Sequence, residues 1–437
     1  MNDTTSPASP PKSNRSAMMI VFFIVVVDLL GFGIVLPILP ITGREYLTPL
    51  FPDSEESRGA MIGLLMATFS AMQFLFAPAW GRLSDRIGRR PVLLVGLVGS
   101  VLFYSLFGYA AGIQPDTRDS AILALALMFV ARSGAGMAGA TISTAQAVIA
   151  DCTPPEKRKH GMALIGAAFG IAFTIGPLLG ALAMRFVDSP VMATSITGYV
   201  SAGLSLVALL LALAILPETR KPGDSPPAPR RIINLAAWQA VLRNSAIAPV
   251  VLTFFLATLG FGAFESTMAL FIKDILDIDK RHAYWFFAYV GFVLVLTQGF
   301  LYRRLAKRVA EATFMATGIV LMGLGVVSLG GVGLMKSAGS FGYEPLMVGM
   351  MAAMTVAVIG FAFLTPSAQA LISRRTSADK QGEVLGVNQS AAALARIIGP
   401  VFGNSLYALT STHMLPYLFG AGLLLLMLPL IPRIRRG

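Results

Sequence analysis

Four charged side chains stand where charges are costly. Asp28, Arg132, Glu265 and Arg396 each fall inside a long apolar run. An ionisable group at the centre of a bilayer costs about 2.5–3.5 kcal/mol on insertion scales, so each must face a cavity or a partner. Asp28 lies about 10 residues into its run, which is about 15 Å along a helix and near mid-bilayer. A carboxyl favours its neutral form when desolvated and its ionised form beside a cation, so one that alternates between these surroundings takes up and releases a proton. Two readings of Asp28 stay open: a proton carrier, or a fixed ion pair with Arg132 that holds two helices in register. Arginine stays cationic and cannot carry the proton. Arg132 would instead tune Asp28 or Glu265, hold an anionic part of a substrate, or serve as a structural counter-ion. It shares a helical face with Gly136, Gly139, Ser143 and Gln146. Glu265 shares a face with Thr258, Phe261, Gly262, Met268 and Ala269. Met and aromatic side chains adapt to cationic or amphipathic compounds, so Glu265 is a second candidate carrier; its bland reading is a Glu near the water boundary. Arg396 follows Asn388 and Gln389 on its helix and would pair with Glu265 or bind an anion. Two acids and two arginines leave the interior formally neutral, so the substrate's charge is not fixed.

Other chemistries are excluded early. One cysteine, Cys152, cannot build a disulfide framework or a thiolate metal site. His160, His282 and His413 all fall in loops, so no imidazole cluster for a metal or haem stands inside the apolar runs. No Lys follows a Gly, so the phosphate-cradling G-x-x-x-x-G-K is absent and ATP-driven pumping by this chain is not expected. No cofactor, no metal and no enzymatic role are expected. The net charge of +12 invites a nucleic-acid partner, but its distribution argues against one, because Lys and Arg gather in loops on one side of the apolar runs.

The frame that must position the charges is a set of membrane helices. The 437 residues are 55% hydrophobic and 13% charged, against roughly 25% charged in soluble chains. Twelve apolar runs are long enough to span a hydrocarbon core. The first is too long for a signal peptide and is expected to stay as a helix. The fold class is therefore an all-α polytopic membrane protein of twelve helices in two six-helix bundles, with a lipid bilayer as its partner. The boundaries read as a tail at 1–17, a first bundle at 18–216, a linker at 217–244, a second bundle at 245–432 and a basic tail at 433–437. The Lys/Arg bias places both termini in the cytoplasm of a cell whose plasma (inner) membrane holds the protein. The halves repeat: Ala145-Gln146-Ala147 recurs as Ala368-Gln369-Ala370, and Gly176-Pro177-x-x-Gly180 recurs as Gly399-Pro400-x-x-Gly403, both 223 residues later. Internal repeats of this kind mark secondary transporters. Gly170, Gly176, Pro177 and Gly180, with Gly399 and Pro400, read as a close-packed and kinked hinge between rocking halves.

These residues resemble a known family. Gly81-Arg82-Leu83-Ser84-Asp85-Arg86-Ile87-Gly88-Arg89-Arg90 is similar to the loop signature G-x-L-[AS]-D-R-x-G-R-[KR] of the major facilitator superfamily. Arg132 with Gly136, the GIAFTIGPLLG run from Gly170 and the DLLGFG run from Asp28 resemble elements of its drug:proton antiporter branch, nearest to tetracycline-efflux proteins. Ala135 replaces the Gln usual there. The resemblance covers essentially the whole chain. It implies alternating-access export of a small amphipathic molecule or drug, driven by protons, by a monomer. A uniporter or importer of a sugar, organic anion or lipid on the same fold is the alternative. It also implies a latch of the outward-open state: Asp85 docks on the start of span eleven, Arg86 reaches Asp151, Gly81 and Gly88 allow a tight loop, and Arg89 and Arg90 complete it. A plain positive anchor is the competing reading of that loop.

Overall fold

A computed structural model describes residues 15–153, 158–220, 235–278, 280–339, 341–377 and 380–436. Residues 1–14 of the expected tail and 221–234 of the expected linker lie outside them. The first half runs α1 Arg15–Val35, α2 Leu39–Leu47, α3 Glu55–Ile87, α4 Arg89–Ala111, α5 Arg118–Gly139, α6 Ile142–Asp151, α7 Arg158–Arg185 and α8 Pro190–Ile215. The second runs α9 Leu235–Arg243, α10 Ala248–Leu276, α11 Lys280–Leu296, a π-helical turn Thr297–Tyr302, α12 Arg303–Leu305, α13 Glu311–Ser337, α14 Tyr343–Arg374, α15 Gln381–Tyr407, α16 Leu415–Leu425 and α17 Ile431–Arg436. Among the described residues, eleven helical stretches are long and apolar enough to cross a membrane, and Gly170–Arg185 of α7 is a shorter apolar one.

Two spans that the hydropathy presents as continuous are broken. The first stops at Leu36-Pro37-Ile38 and resumes as α2, because Pro37 has no N–H to donate and its ring crowds the preceding turn. The fourth breaks after Gly139, where Gly136, Gly139 and Ala140 supply little side chain to hold the helix and the Thr141 hydroxyl donates to Ala138 O at 2.9 Å. The long helix α3 clamps that break. Trp80 Nε1 donates to Met137 O at 2.7 Å, Gln73 Nε2 to Gly139 O at 3.2 Å, and Ser143 Oγ to Ala77 O at 3.0 Å.

The halves meet through α3 on α15, α7 on α11 and α2 on α10. Contact is close enough to require glycine at the seams. A methyl on Gly63 would sit 2.7 Å from Val401 Cα and 2.8 Å from Pro400 O, and one on Gly291 would sit 2.5 Å from Phe173 O. Within halves, a methyl on Gly176 would meet Gly33 Cα at 2.9 Å and one on Gly399 would meet Leu259 O at 2.9 Å; Gly170, across the α7–α11 seam, has ordinary room, 3.7 Å from Val295. Gly180 lies under the Tyr284 ring, across the seam between halves. The outward surface carries large apolar side chains, among them Leu102, Phe186, Leu210 and Leu425, as a lipid-facing surface must.

Hydrogen bonds and ion pairs between the halves collect at one end. Arg44 pairs with Asp274 at 2.8 Å, Lys280 with Glu45 at 3.1 Å, and Arg281 donates to Val187 O at 2.8 Å. At the other end, where the basic loops lie, Arg89 pairs with Asp85 and Asp151, and Arg375 donates to Ala246 O and Ile434 O, each within one half. We call these the closed end and the basic end.

Candidate transport cavity and gates

Asp28 sits on α1 within a small cavity lined also by Phe32, Phe69, Gln73, Tyr104 and Gly139. The space is about 30 Å³, enough for about one or two waters. The described partner of Asp28 is neutral: Ser100 Oγ donates to Oδ1 at 2.6 Å. Arg132 is 2% exposed, and its Nε and Nη1 find no hydrogen-bond acceptor among the described residues. Its guanidinium carbon lies 4.8 Å from the Phe69 ring centroid and 5.8 Å from that of Phe32, contacts that offset part of the cost of a buried cation. Tyr104 lies within electrostatic reach of both Asp28 and Arg132, while no ion pair joins those two among the described residues. Gln146 is half-buried on α6. The break after Gly139 removes the continuous helical spacing that put Gln146 on the Arg132 face.

The second half brings another carboxylate and guanidinium together. Glu265 of α10 and Arg396 of α15 lie within electrostatic reach of each other on two helices that pack side by side. Arg396 is exposed by area although it stands mid-helix. Phe261, one turn from Glu265, stacks on Phe361 at 3.9 Å and 9°. Asn388 is fully buried, yet both amide atoms lack a hydrogen-bond partner in the described structure. Such a group costs about 1–3 kcal/mol and calls for a function, a water or a ligand.

At the basic end, Asp85 pairs with Arg89 rather than with α15. Asp151 is reached by Arg89, whose Nε lies 3.2 Å away; the motif's Arg86 is exposed, and its carbonyl accepts from Arg220. Arg89 also donates to Ser84 Oγ at 2.7 Å, and Arg90 to Leu213 O at 2.7 Å. Glu218, which the sequence did not single out, organises the loop. Its carboxylate accepts the backbone N–H groups of Arg89 and Arg90 at 2.9 and 3.0 Å, at the start of α4. Partial burial pushes its titration up, but backbone donors at Arg220, Arg89, Arg90 and Thr219 outweigh that and hold it below the usual carboxylate value. Gly88 has φ of 108°, and a methyl there would lie 2.5 Å from Glu218 Oε2. Gly81 has open surroundings by comparison, 4.0 Å from Ser143.

The closed end was also missed. Asp274 accepts from Arg44 through both oxygens, at 2.8 and 2.9 Å, and from Tyr407 Oη at 2.7 Å. The His413 ring stacks on Tyr407 at 4.1 Å. Tyr284 Oη, further in, donates to Ile34 O at 2.9 Å across the halves. The only signals were loop charges far apart in sequence.

The family model for the Major Facilitator Superfamily matches residues 21–359 and 252–437. The class E tetracycline resistance protein of Escherichia coli is 30% identical over 400 residues, covering 91% of this chain and 89% of that protein. The class C protein of Escherichia coli is 29% identical over 429 residues, covering 97% and 98%. Major facilitator superfamily domain-containing protein 10 of Mus musculus is 25% identical, covering 92% and 90%. Among solved structures, the human organic anion transporter MFSD10 has a TM-score of 0.63 at 24% identity, covering 95% of this chain and 99% of that one. A D-xylose–proton symporter has 0.71 at 15% identity, covering 96% and 99%; likeness at such identity speaks for the fold. The family model, the resistance proteins and the structural neighbours together make this helical membrane bundle a transporter and not an enzyme. The chain belongs to the Major Facilitator Superfamily.

Proposed function

We propose that this transporter exports a small amphipathic molecule in exchange for protons, by alternating access, as a monomer in the plasma (inner) membrane. The basic end and both termini would then face the cytoplasm, and the structure would be the inward-facing state. The observation that carries the reading is Asp28, a carboxylate deep in the first span whose described partner is the neutral Ser100. It can gain or lose a proton without breaking an ion pair. Arg132 stands near enough to respond through Tyr104, which feels both charges, and Glu265 with Arg396 offers a second charge-bearing wall. Asn388 and Gln146 are the neutral polar candidates. A proton entering from outside neutralises a carboxylate and weakens its hold on substrate or arginine, so the substrate leaves outward. The Asp85–Arg89–Asp151 group with Arg86 and Arg90 serves as the latch, open in this state, and the paired Gly-Pro segments as the hinge.

A second reading, an importer or uniporter of an organic anion, is favoured by the two unpartnered nitrogens of Arg132. The relatives suggest where to begin: tetracyclines from the resistance proteins, organic anions from MFSD10. In inside-out vesicles with an acidic interior and a pH-sensitive dye, adding one compound of such a panel should release protons, and Asp28→Asn should abolish the release with insertion intact. Silence across the panel from a folded protein would reject proton antiport. Normal exchange by Asp28→Asn would remove Asp28 from the mechanism.

A further inference from the structure

A groove remains at the basic end that no transport step uses. It is lined by Leu242 at the end of α9, Ser245, Pro249 and Leu252 of the following segment, and Leu430 and Arg433 near the chain's end, and encloses about 610 Å³. That is within the roughly 300–1,000 Å³ of small-molecule sites.

Its walls are fixed. The Arg375 guanidinium donates to Ala246 O at 2.8 Å and also to Ile434 O, tying the start of α10 to α17. Helix α9 packs Ala237 and Val241 inward and leaves Leu235 70% and Leu242 57% exposed. Exposed leucines continue from the groove along the lipid-facing surface, through Leu252, Leu425, Leu426 and Leu428. Two cations stand at the groove. Arg433 lines it, and Arg243 directly follows the lining Leu242 at the end of α9, both exposed. Neither has an ion-pair partner among the described residues, and the lining holds no carboxylate.

An apolar trough that opens sideways to hydrocarbon, with guanidinium groups at its water edge, fits one chemistry. An acyl chain lies along the leucines while a phosphate meets the arginines, which attract acidic lipid at a membrane surface. We propose that this groove is a binding site for one acidic phospholipid of the leaflet at the basic end. The headgroup of a zwitterionic lipid carries no net charge to meet Arg433 and Arg243, so the site discriminates by headgroup charge.

The test uses the full-length protein, delipidated in detergent and titrated with phosphatidylglycerol or phosphatidylcholine while bound lipid is counted by native mass spectrometry. One phosphatidylglycerol should bind about tenfold or more tightly than phosphatidylcholine, and Arg243→Gln with Arg433→Gln should remove that preference. Arg304→Gln with Lys307→Gln, an equally basic exposed pair, should leave it unchanged. Glycerol phosphate, the headgroup without chains, should not compete. Equal binding of the two lipids would overturn the site, as would an undiminished preference in the double variant. Equal loss from the control pair, or full competition by glycerol phosphate, would reduce it to nonspecific surface charge and overturn it as well.

Discussion

Gly63→Ala should open the closed end. The added methyl would stand 2.7 Å from Val401 Cα and 2.8 Å from Pro400 O, about 1 Å inside the 3.5–4.0 Å at which carbon atoms attract. Both neighbours are backbone of α15, so no side chain can rotate away. Forced overpacking of this kind costs about 1–3 kcal/mol. Gly63 lies on α3 near the end where the halves meet, so the penalty falls on the closed state and vanishes when the halves part. The full amount then appears as a shift in equilibrium, about 5- to 150-fold toward opening. Thr42 supplies a reporter, being 1% exposed on α2 with a hydroxyl that has no partner in the described structure. With Cys152→Ser and Thr42→Cys in place, an impermeant maleimide labels only molecules whose closed end has opened. Gly203→Ala is the control, because a methyl there meets nothing within 4 Å and any gain in helix propensity is shared by both states. Labelling at the parental rate in Gly63→Ala, with the protein inserted and folded, would refute the wedge argument.

Other perturbations separate the remaining parts. Asp274→Asn removes the charge that holds Arg44, a pair with both side chains about one-fifth exposed; labelling of Thr42→Cys should rise severalfold, as for a partly exposed pair worth about 1 kcal/mol, and an unchanged rate would demote the pair to decoration. Arg132→Lys keeps the charge but loses the planar fork, and transport should fall at least about tenfold; a normal rate would leave Arg132 only a point charge. Glu218 titrates below its ordinary 4.5, so its capping of α4 is fully present above that value and is lost as pH falls through the lowered one. Cleavage of the neighbouring linker by an acid-active protease should therefore rise only below about pH 4.5, and Glu218→Gln should abolish that dependence. Gly88→Ala demands a φ of 108° from a residue with a side chain, strain of about 1–3 kcal/mol, and should loosen the same loop at neutral pH; retention of the Glu218 cap would contradict this.

Much of the fold was legible because membrane spans declare themselves by length and polarity, and the repeat at Gly176 and Gly399 fixed the two-fold plan. The breaks were less legible. Pro37 could have been read as the end of α1, but the fourth span breaks at small residues with no proline, and Gln146 leaves its expected face as a result. Local motifs showed which charges gather but not how they pair. Asp85 and Arg89 are four residues apart across the end of α3, and the left-handed turn at Gly88 hands Asp151 to Arg89 rather than to Arg86. The closed end was illegible for a different reason. Arg44 and Asp274 are 230 residues apart, each an ordinary loop charge on its own, and only the docking of the halves makes them a pair.

The closed end joins two kinds of force that water treats differently. Its ion pairs stand partly in solvent and are screened once the Debye length shrinks, from about 8 Å at physiological salt to about 3 Å at 1 M. The backbone contacts at Gly63 carry no charge and ignore added salt. The height of the barrier to opening therefore has one portion that the surrounding brine can tune and one that it cannot. Turnover measured against ionic strength becomes a ruler for the cycle: a steep dependence places the slow step at parting the halves, and a flat one places it in the buried interior.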